Sequence, residues 1–111
     1  MLKKEVLRKQ RDFDSVYKKG KSVPDKYIVV FFRKNRLSYC RTAFLASKKV
    51  GNSVYRNRAR RLMKEALRLS EKELPCGYDF IFVARKSICS AKCQQVQKSM
   101  NSALRRTSII K

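Results

Sequence analysis

The residues with the clearest chemical meaning form a run of cations between Ser47 and Arg68. Guanidinium forks and ammonium groups bind phosphate oxygens through charge-assisted hydrogen bonds. The candidate polyanion-binding residues are Lys48, Lys49, Asn52, Arg56, Asn57, Arg58, Arg60, Arg61, Lys64 and Arg68. This pattern is typical of a surface for folded RNA, which proteins recognise largely by shape and backbone.

The overall charge supports the same partner. With 29 Lys and Arg against 8 Asp and Glu, the 111 residues carry a formal charge of +21. The segment from Lys26 to Lys64 contains no carboxylate. Such self-repulsion is unusual in a soluble domain that has no polyanionic partner. The composition therefore predicts a single nucleic-acid-binding domain spanning residues 1–111, with a generally basic, solvated surface as the weaker alternative.

Catalysis by the polypeptide itself is poorly supported. The chain has no histidine, and its few carboxylates are scattered rather than paired as an acid and a base or grouped as metal ligands. The cysteines lack the close pairing of a zinc site, and we expect them to be small buried hydrophobic residues. They are Cys40, Cys76, Cys89 and Cys93. Neither a Walker pattern nor a dinucleotide fingerprint is present, so a nucleotide cofactor or a small-molecule substrate is not expected.

A second candidate site is aromatic. Phe13 and Tyr17 lie on one predicted helix, and Tyr27, Val29 and Phe31 alternate along the following strand. Single-stranded bases stack on such surfaces with little sequence preference. Burial in the core is an equally good interpretation of each ring.

The elements that position these residues follow from periodicity and turn residues. We predict a helix from about Arg8 to Lys19 that ends at a left-handed Gly20, and strands at Tyr27–Phe32 and Arg41–Ala46 that pair as an antiparallel hairpin. A helix capped by Asn52 or Ser53 and running to about Leu69, a strand at Tyr78–Ala84 and a helix at about Ala91–Arg106 complete the order. A short strand near Lys21–Val23 is optional. The fold class is α/β (α+β), a two-layer sandwich in the order α-β-β-(β)-α-β-α.

The second helix is predicted to be amphipathic, with one apolar and one basic face. At about 100° per residue, an apolar stripe separates from a cationic face. The stripe comprises Tyr55, Ala59, Leu62, Ala66 and Leu69. Since that stripe is needed for the core, binding to an anionic membrane is a distant alternative. The longest apolar run, Tyr27–Phe32, is far too short to span a bilayer and no signal-peptide core is recognisable, so we expect a cytoplasmic protein.

Three segments carry a family resemblance. The run Ser47 to Leu62, with Ser-Lys-Lys-Val-Gly-Asn followed by Arg-Asn-Arg-Ala-Arg-Arg-Leu, closely resembles the protein component of bacterial ribonuclease P. The segments Asp12–Gly20 and Tyr78–Lys86 extend the resemblance, in the expected order, over essentially the whole chain.

The resemblance implies a ribosomal-protein-like sandwich with a left-handed β-α-β crossover. It also implies a non-catalytic subunit of a tRNA-processing endoribonuclease. The partners would be the ribonuclease P RNA and the 5′ leader of precursor tRNA, with Mg²⁺ held mainly by the RNA and none by the protein alone. The cations of the motif would face the RNA or the leader, while Phe13, Tyr17 and Phe31 would line a leader cleft.

One departure concerns the cleft. Ala43, Leu45 and Ala46 replace the glycine and the serine-valine pair that the family usually has before Ser47. We expect these changes to affect cleft shape or strand packing and to leave the charge motif intact. A structural RNA-binding protein of the ribosome is the alternative that composition alone would favour.

Overall fold

The computed structural model describes residues 5–70 and 74–108. In this part of the chain, three α-helices pack on a mixed five-stranded sheet. The helices are α1 (Gln10–Lys19), α2 (Ser53–Arg68) and α3 (Cys93–Arg106), with a 3₁₀ helix at Lys86–Ser90. The strands are β1 (Glu5–Val6), β2 (Lys21–Pro24), β3 (Ile28–Lys34), β4 (Arg41–Leu45) and β5 (Tyr78–Ala84), in the spatial order β1-β4-β5-β3-β2. The predicted α+β order and the optional strand after α1 are confirmed.

The predicted hairpin between the first two long strands is wrong. β5 lies between β3 and β4, antiparallel to the first and parallel to the second. Ile81 of β5 aligns with both Phe31 and Ala43. Most of β5 is buried, as expected for a strand that is covered on both faces of the sheet. Burying this apolar strand in the centre outweighs the local preference for a hairpin.

The two faces of the sheet have separate cores. α2 and α3 cover one face, where Phe80 and Phe82 pack with Met63 and Met100. α1 covers part of the other face, where Val16 packs with Leu7, Ala43 and Ile81. Because one short helix covers less area than two long ones, part of the second face stays open.

The connection from β4 through α2 to β5 is a left-handed crossover. Thr42 faces the α2 side, since its neighbour Ala43 faces α1, and its carbonyl oxygen accepts from the Leu7 amide just after β1 at 2.8 Å. When β4 is viewed from the α2 side and runs upward, the Thr42 side chain points toward the viewer, and for L-residues the Thr42 carbonyl then points to the right. β1, which binds that carbonyl, therefore lies to the right of β4, and β5 lies to its left. With α2 in front of the sheet, a step to the left from β4 to β5 is a left-handed connection. About 98% of such units have the opposite hand.

Two local predictions need correction. Gly20 has φ −85°, not a left-handed conformation. A Cβ at Gly20 would instead collide with the carbonyl oxygens of Val16 and Phe32, so glycine is required there for close packing of α1 on β3. Of the cysteines, Cys40 is buried and Cys89 and Cys93 are half-buried, but Cys76 is exposed because it lies in the turn that leads into β5.

Candidate nucleic-acid interface

α2 is oriented by its cap and by its apolar face. The Asn52 side-chain oxygen accepts hydrogen bonds from the amides of Val54 and Tyr55 at 3.1 and 3.3 Å, which confirms the predicted start of the helix. The buried face comprises Ala59, Met63, Ala66 and Leu67. Tyr55 and Leu69 were predicted to face inward but are 51% and 41% exposed. They lie at the two ends of the helix, beyond the part that packs on the sheet and α3.

The opposite face of α2 and the turn before it form an exposed cationic surface, here called the ridge. Its members are Lys48, Lys49, Asn57, Arg60, Arg61, Lys64 and Arg68. All of them are exposed except Arg60, which is partly buried and donates a hydrogen bond to the Asn57 side chain. Arg68 is paired with Glu65, one turn away on the helix. Spacings of three and four residues place Asn57, Arg61, Lys64 and Arg68 in one row along the helix.

Two predicted phosphate-binding residues have other roles in the structure, and a third is partly buried. Arg58 points sideways and donates to the carbonyl oxygens of Cys89 and Ala91 at 3.4 and 3.0 Å. Asn52 uses its oxygen as the helix cap. Arg56 is partly buried, and among the described residues its Nε is shielded from solvent without a hydrogen-bond partner. The capping role of Asn52 was predicted, but sequence spacing could not separate Arg56 and Arg58 from the ridge, since both belong to one basic run.

The aromatic candidates meet on the other side of the sheet, at the edge of α1. The rings of Tyr17 and Phe31 are in edge-to-face contact with centroids 4.9 Å apart, and Tyr17 is 43% exposed. Partial burial raises the pKa of Tyr17, because it disfavours the charged phenolate. Phe13 and Phe31 pack at the margin of the α1 core.

On the uncovered part of this face, Val83, which the sequence did not indicate, joins the predicted Val29 and Leu45, a position that was expected to affect the shape of the cleft. Val29 aligns with Val83, which aligns with Leu45, and all three are only partly buried. Together with the aromatic residues they form a partly exposed apolar surface, here called the cleft. The cleft comprises Phe13, Tyr17, Val29, Phe31, Leu45 and Val83. Only the pairing of β3, β5 and β4 brings the three aliphatic residues into one row.

Tyr27 does not belong to the cleft, and its prediction is wrong. β3 begins at Ile28, so the alternation of faces does not extend back to Tyr27. The ring is 8% exposed and packs with the α2 and α3 core. Its amide donates to the buried Ser99 hydroxyl of α3 at 3.4 Å.

A partly buried ionic network holds α1 against the sheet beside the cleft. Arg41 donates two hydrogen bonds to Asp79, at 2.8 and 2.7 Å, and one to Asp12 of α1 at 3.1 Å. These partners, Asp79 above all, outweigh the desolvation of Arg41 and raise its pKa. Sequence reasoning missed the network, although Asp79 was a signal as a single acid inside an apolar strand.

The ridge and the cleft meet at one end of the sheet. β4 contributes Leu45 to the cleft, and the chain then reaches the turn Ser47 to Gly51 that carries Lys48 and Lys49. Since β4 and β5 are parallel, their carboxyl ends lie together at this end. The two surfaces therefore approach each other here.

The sequence and the fold match one family throughout. The family model described as Ribonuclease P matches residues 1–108. The chain belongs to this family. The ribonuclease P protein component of Pelotomaculum thermopropionicum is 47% identical over 95% of this chain and 94% of its own length. That of Clostridioides difficile is 44% identical over 93% and 91%, respectively.

Solved structures of ribonuclease P proteins have the same fold. The Staphylococcus aureus protein superposes with a TM-score of 0.83 at 29% identity, covering 98% of this chain and all of that one. The Thermotoga maritima protein gives 0.80 at 32% identity, covering 92% and 96%. The predicted family and fold class are thereby confirmed, and the chain is the protein component of a tRNA-processing ribonuclease.

Two further observations bear on what this component can do. Among residues 5–70 and 74–108, no helix has the length and apolar composition needed to cross a membrane. The same residues contain no group of three or more acidic, cysteine or histidine side chains that could hold a metal ion. The acids beside the cleft, Asp12 and Asp79, are already bound to Arg41.

Proposed function

We propose that this protein binds the ribonuclease P RNA through the ridge and the 5′ leader of precursor tRNA through the cleft. The resulting ribonucleoprotein would cleave the precursor to release the leader and leave a mature 5′ end. The family assignment favours this function over the structural ribosomal protein that composition alone would suggest.

The observation that carries the proposal is the arrangement of the two surfaces. The ridge offers cations that suit a phosphate backbone. The sheet separates it from a surface of partly exposed aromatic and aliphatic groups that suits unpaired bases. They approach each other at the carboxyl end of β4, where the chain passes from Leu45 to the turn that carries Lys48 and Lys49. A protein with this arrangement can hold two RNA segments side by side, one by backbone and one by bases.

The protein's contribution to the reaction would be binding and electrostatics. Two RNA strands repel each other, and a chain of net charge +21 placed between them lowers that repulsion. The described carboxylates do not fit a catalytic magnesium site, because they are dispersed or paired with arginine. We therefore assign the magnesium ions that catalyse hydrolysis to the RNA.

Reconstitution tests the proposal. The protein is added to a bacterial ribonuclease P RNA at a low magnesium concentration, and removal of the leader from precursor tRNA is measured. We expect strong stimulation of cleavage, and tighter binding of precursor than of mature tRNA. No stimulation at any protein concentration would contradict the proposal.

Sedimentation in cell extracts tests the ribosomal alternative. We expect the protein to copurify with one abundant non-ribosomal RNA. Stoichiometric cosedimentation with a ribosomal subunit would instead favour the alternative.

A further inference from the structure

Tyr55 presents a large ring to solvent in the first turn of α2. It is 51% exposed, and its neighbour Val54 is 69% exposed. Both lie in the turn of the helix that follows the Asn52 cap, next to the turn that carries Lys48 and Lys49. An exposed aromatic residue between basic segments offers a flat apolar surface to a binding partner.

A glycine in the preceding turn allows the Tyr55 side chain to pack close to the backbone. Gly51 has φ +144°, and a Cβ there would lie 3.1 Å from both Cβ and Cδ2 of Tyr55. Gly51 therefore lets the ring approach the backbone of the turn closely. The turn is itself ordered, because the amides of Val50 and Gly51 donate to Ser47 and Lys48 at 3.0 and 3.1 Å.

The turn is also anchored to the rest of the fold. The Cys89 thiol in the 3₁₀ helix donates to the Val50 carbonyl at 3.0 Å, and Arg58 holds the same 3₁₀ helix from α2. One side of the Tyr55 side chain is thus supported by a fixed turn while half of its surface remains open. A supported, exposed ring loses little conformational entropy when a flat partner covers it.

We propose that Tyr55 stacks on an unpaired base of the RNA that the ridge binds. This inference rests on the proposed function, and it adds a base contact to a surface otherwise made of phosphate contacts. The charge around the ring selects this partner: Lys48 and Lys49 lie in the adjoining turn, and no carboxylate occurs between Lys26 and Lys64. A ring flanked by cations suits a nucleotide, whose base stacks while its phosphate is neutralised.

Fluorescence of a Tyr55→Trp variant tests the stacking directly. The chain contains no tryptophan, so the variant would have a single indole reporter. We expect Tyr55→Trp to bind ribonuclease P RNA as tightly as the unaltered protein and its emission to be quenched at saturation. Unchanged emission on fully bound protein would overturn the inference. A change in emission with protein concentration alone, without RNA, would show self-association through this ring and would also overturn it.

Affinity measurements separate stacking from simple apolar contact. Tyr55→Ala should weaken binding about 5- to 150-fold, the range for loss of one stacked base, with an unchanged dependence on salt. Tyr55→Phe should bind like the unaltered protein, whereas Tyr55→Leu should lose most of the affinity although it keeps apolar bulk. Equal affinities of Tyr55→Leu and the unaltered protein would contradict stacking.

Two controls distinguish the possible failures. Thermal unfolding of Tyr55→Ala should stay cooperative with only a small loss of stability, because half of the side chain is exposed and only the other half packs on the turn. If the unaltered protein fails to bind the RNA, the proposed function fails. If it binds and Tyr55→Ala binds equally well, only the stacking inference fails.

Discussion

The ridge and the cleft are built in opposite ways. The ridge uses long charged side chains from one helix and its leading turn, so its members are close in sequence and need only a helix to be aligned. The cleft uses short apolar and aromatic side chains from α1, β3, β4 and β5, which only the tertiary fold brings together. Their sensitivities should therefore differ: the ridge to salt and to loss of single charges, the cleft to packing.

The largest expected effect comes from breaking the support of the cleft. Asp79→Ala leaves Arg41 without its main partner, and removing one member of a buried ion pair typically costs about 3 to 5 kcal/mol. Because the Arg41 side chain is 22% exposed, we expect the lower end, about 3 kcal/mol of unfolding free energy. Denaturant unfolding would measure it.

The same variant tests whether the two surfaces are independent. At temperatures where Asp79→Ala is folded, binding of precursor tRNA should weaken while binding of the catalytic RNA through the ridge stays near normal. Equal losses for both RNAs would show that the surfaces are not separate.

The next effect concerns the cleft itself. Tyr17→Ala should weaken binding of precursor tRNA by about 1 to 3 kcal/mol, the value of one stacked base, because a half-exposed ring would be lost. Mature tRNA lacks the leader and serves as the control. Filter binding of both tRNAs to the reconstituted particle checks the prediction. A similar loss of affinity for precursor and mature tRNA would indicate that the Tyr17 ring has only a structural role.

A smaller effect is expected for a single cation of the ridge. Arg61→Ala should weaken binding of the catalytic RNA about tenfold and reduce the slope of log affinity against log salt by about one unit, because one phosphate contact is lost. Its unfolding free energy should not change, since Arg61 is exposed. Affinities measured between low and moderate salt test the slope.

Arg58→Ala is the matched control on the same helix. It should lower the unfolding free energy by about 1.5 kcal/mol, because a guanidinium that binds two partly buried carbonyl groups is removed, and the salt slope should stay unchanged. A reduced slope for Arg58→Ala would place this residue on the RNA surface and contradict its assignment to the fold.

The smallest effect is expected at the start of the ridge helix. Asn52→Ala removes the cap of α2 and should cost about 1 kcal/mol of stability, whereas Asn52→Asp or Asn52→Ser should restore most of it. Unfolding curves of the three variants measure this. If Asn52→Ser regains stability but not RNA affinity, the amide also contacts RNA.

Much of the fold was predictable because its signals are local. The 3.6-residue period and the Asn52 cap located α2, and β-branched and aromatic runs located β3 and β5. The pairing of the strands was not predictable: a turn near Asn35 favours a hairpin locally, yet β5 inserts because an apolar strand needs neighbours on both sides. The hand of the crossover came from family resemblance, against the general rule.

The ridge was predictable in outline, since charge is a property of composition and of helical spacing. It was not predictable which cations of the basic run lie outside the ridge. Arg58 and Arg60 are two residues apart, but one is bound to carbonyl groups of the 3₁₀ helix and the other borders the exposed face. Tyr27 shows the same limit for the cleft, since a strand that starts one residue later removes its ring from the predicted face.

The sequence by itself determined the charge, the helix that displays it and the family to which the chain belongs. Only the tertiary structure decided that Val83 and Leu45 complete the cleft, that Arg41 holds α1 beside it and that Tyr55 remains exposed. The physical reason is that helical periodicity and charge act over a few residues. Burial and strand pairing instead depend on segments that are distant in the chain and meet only when it folds.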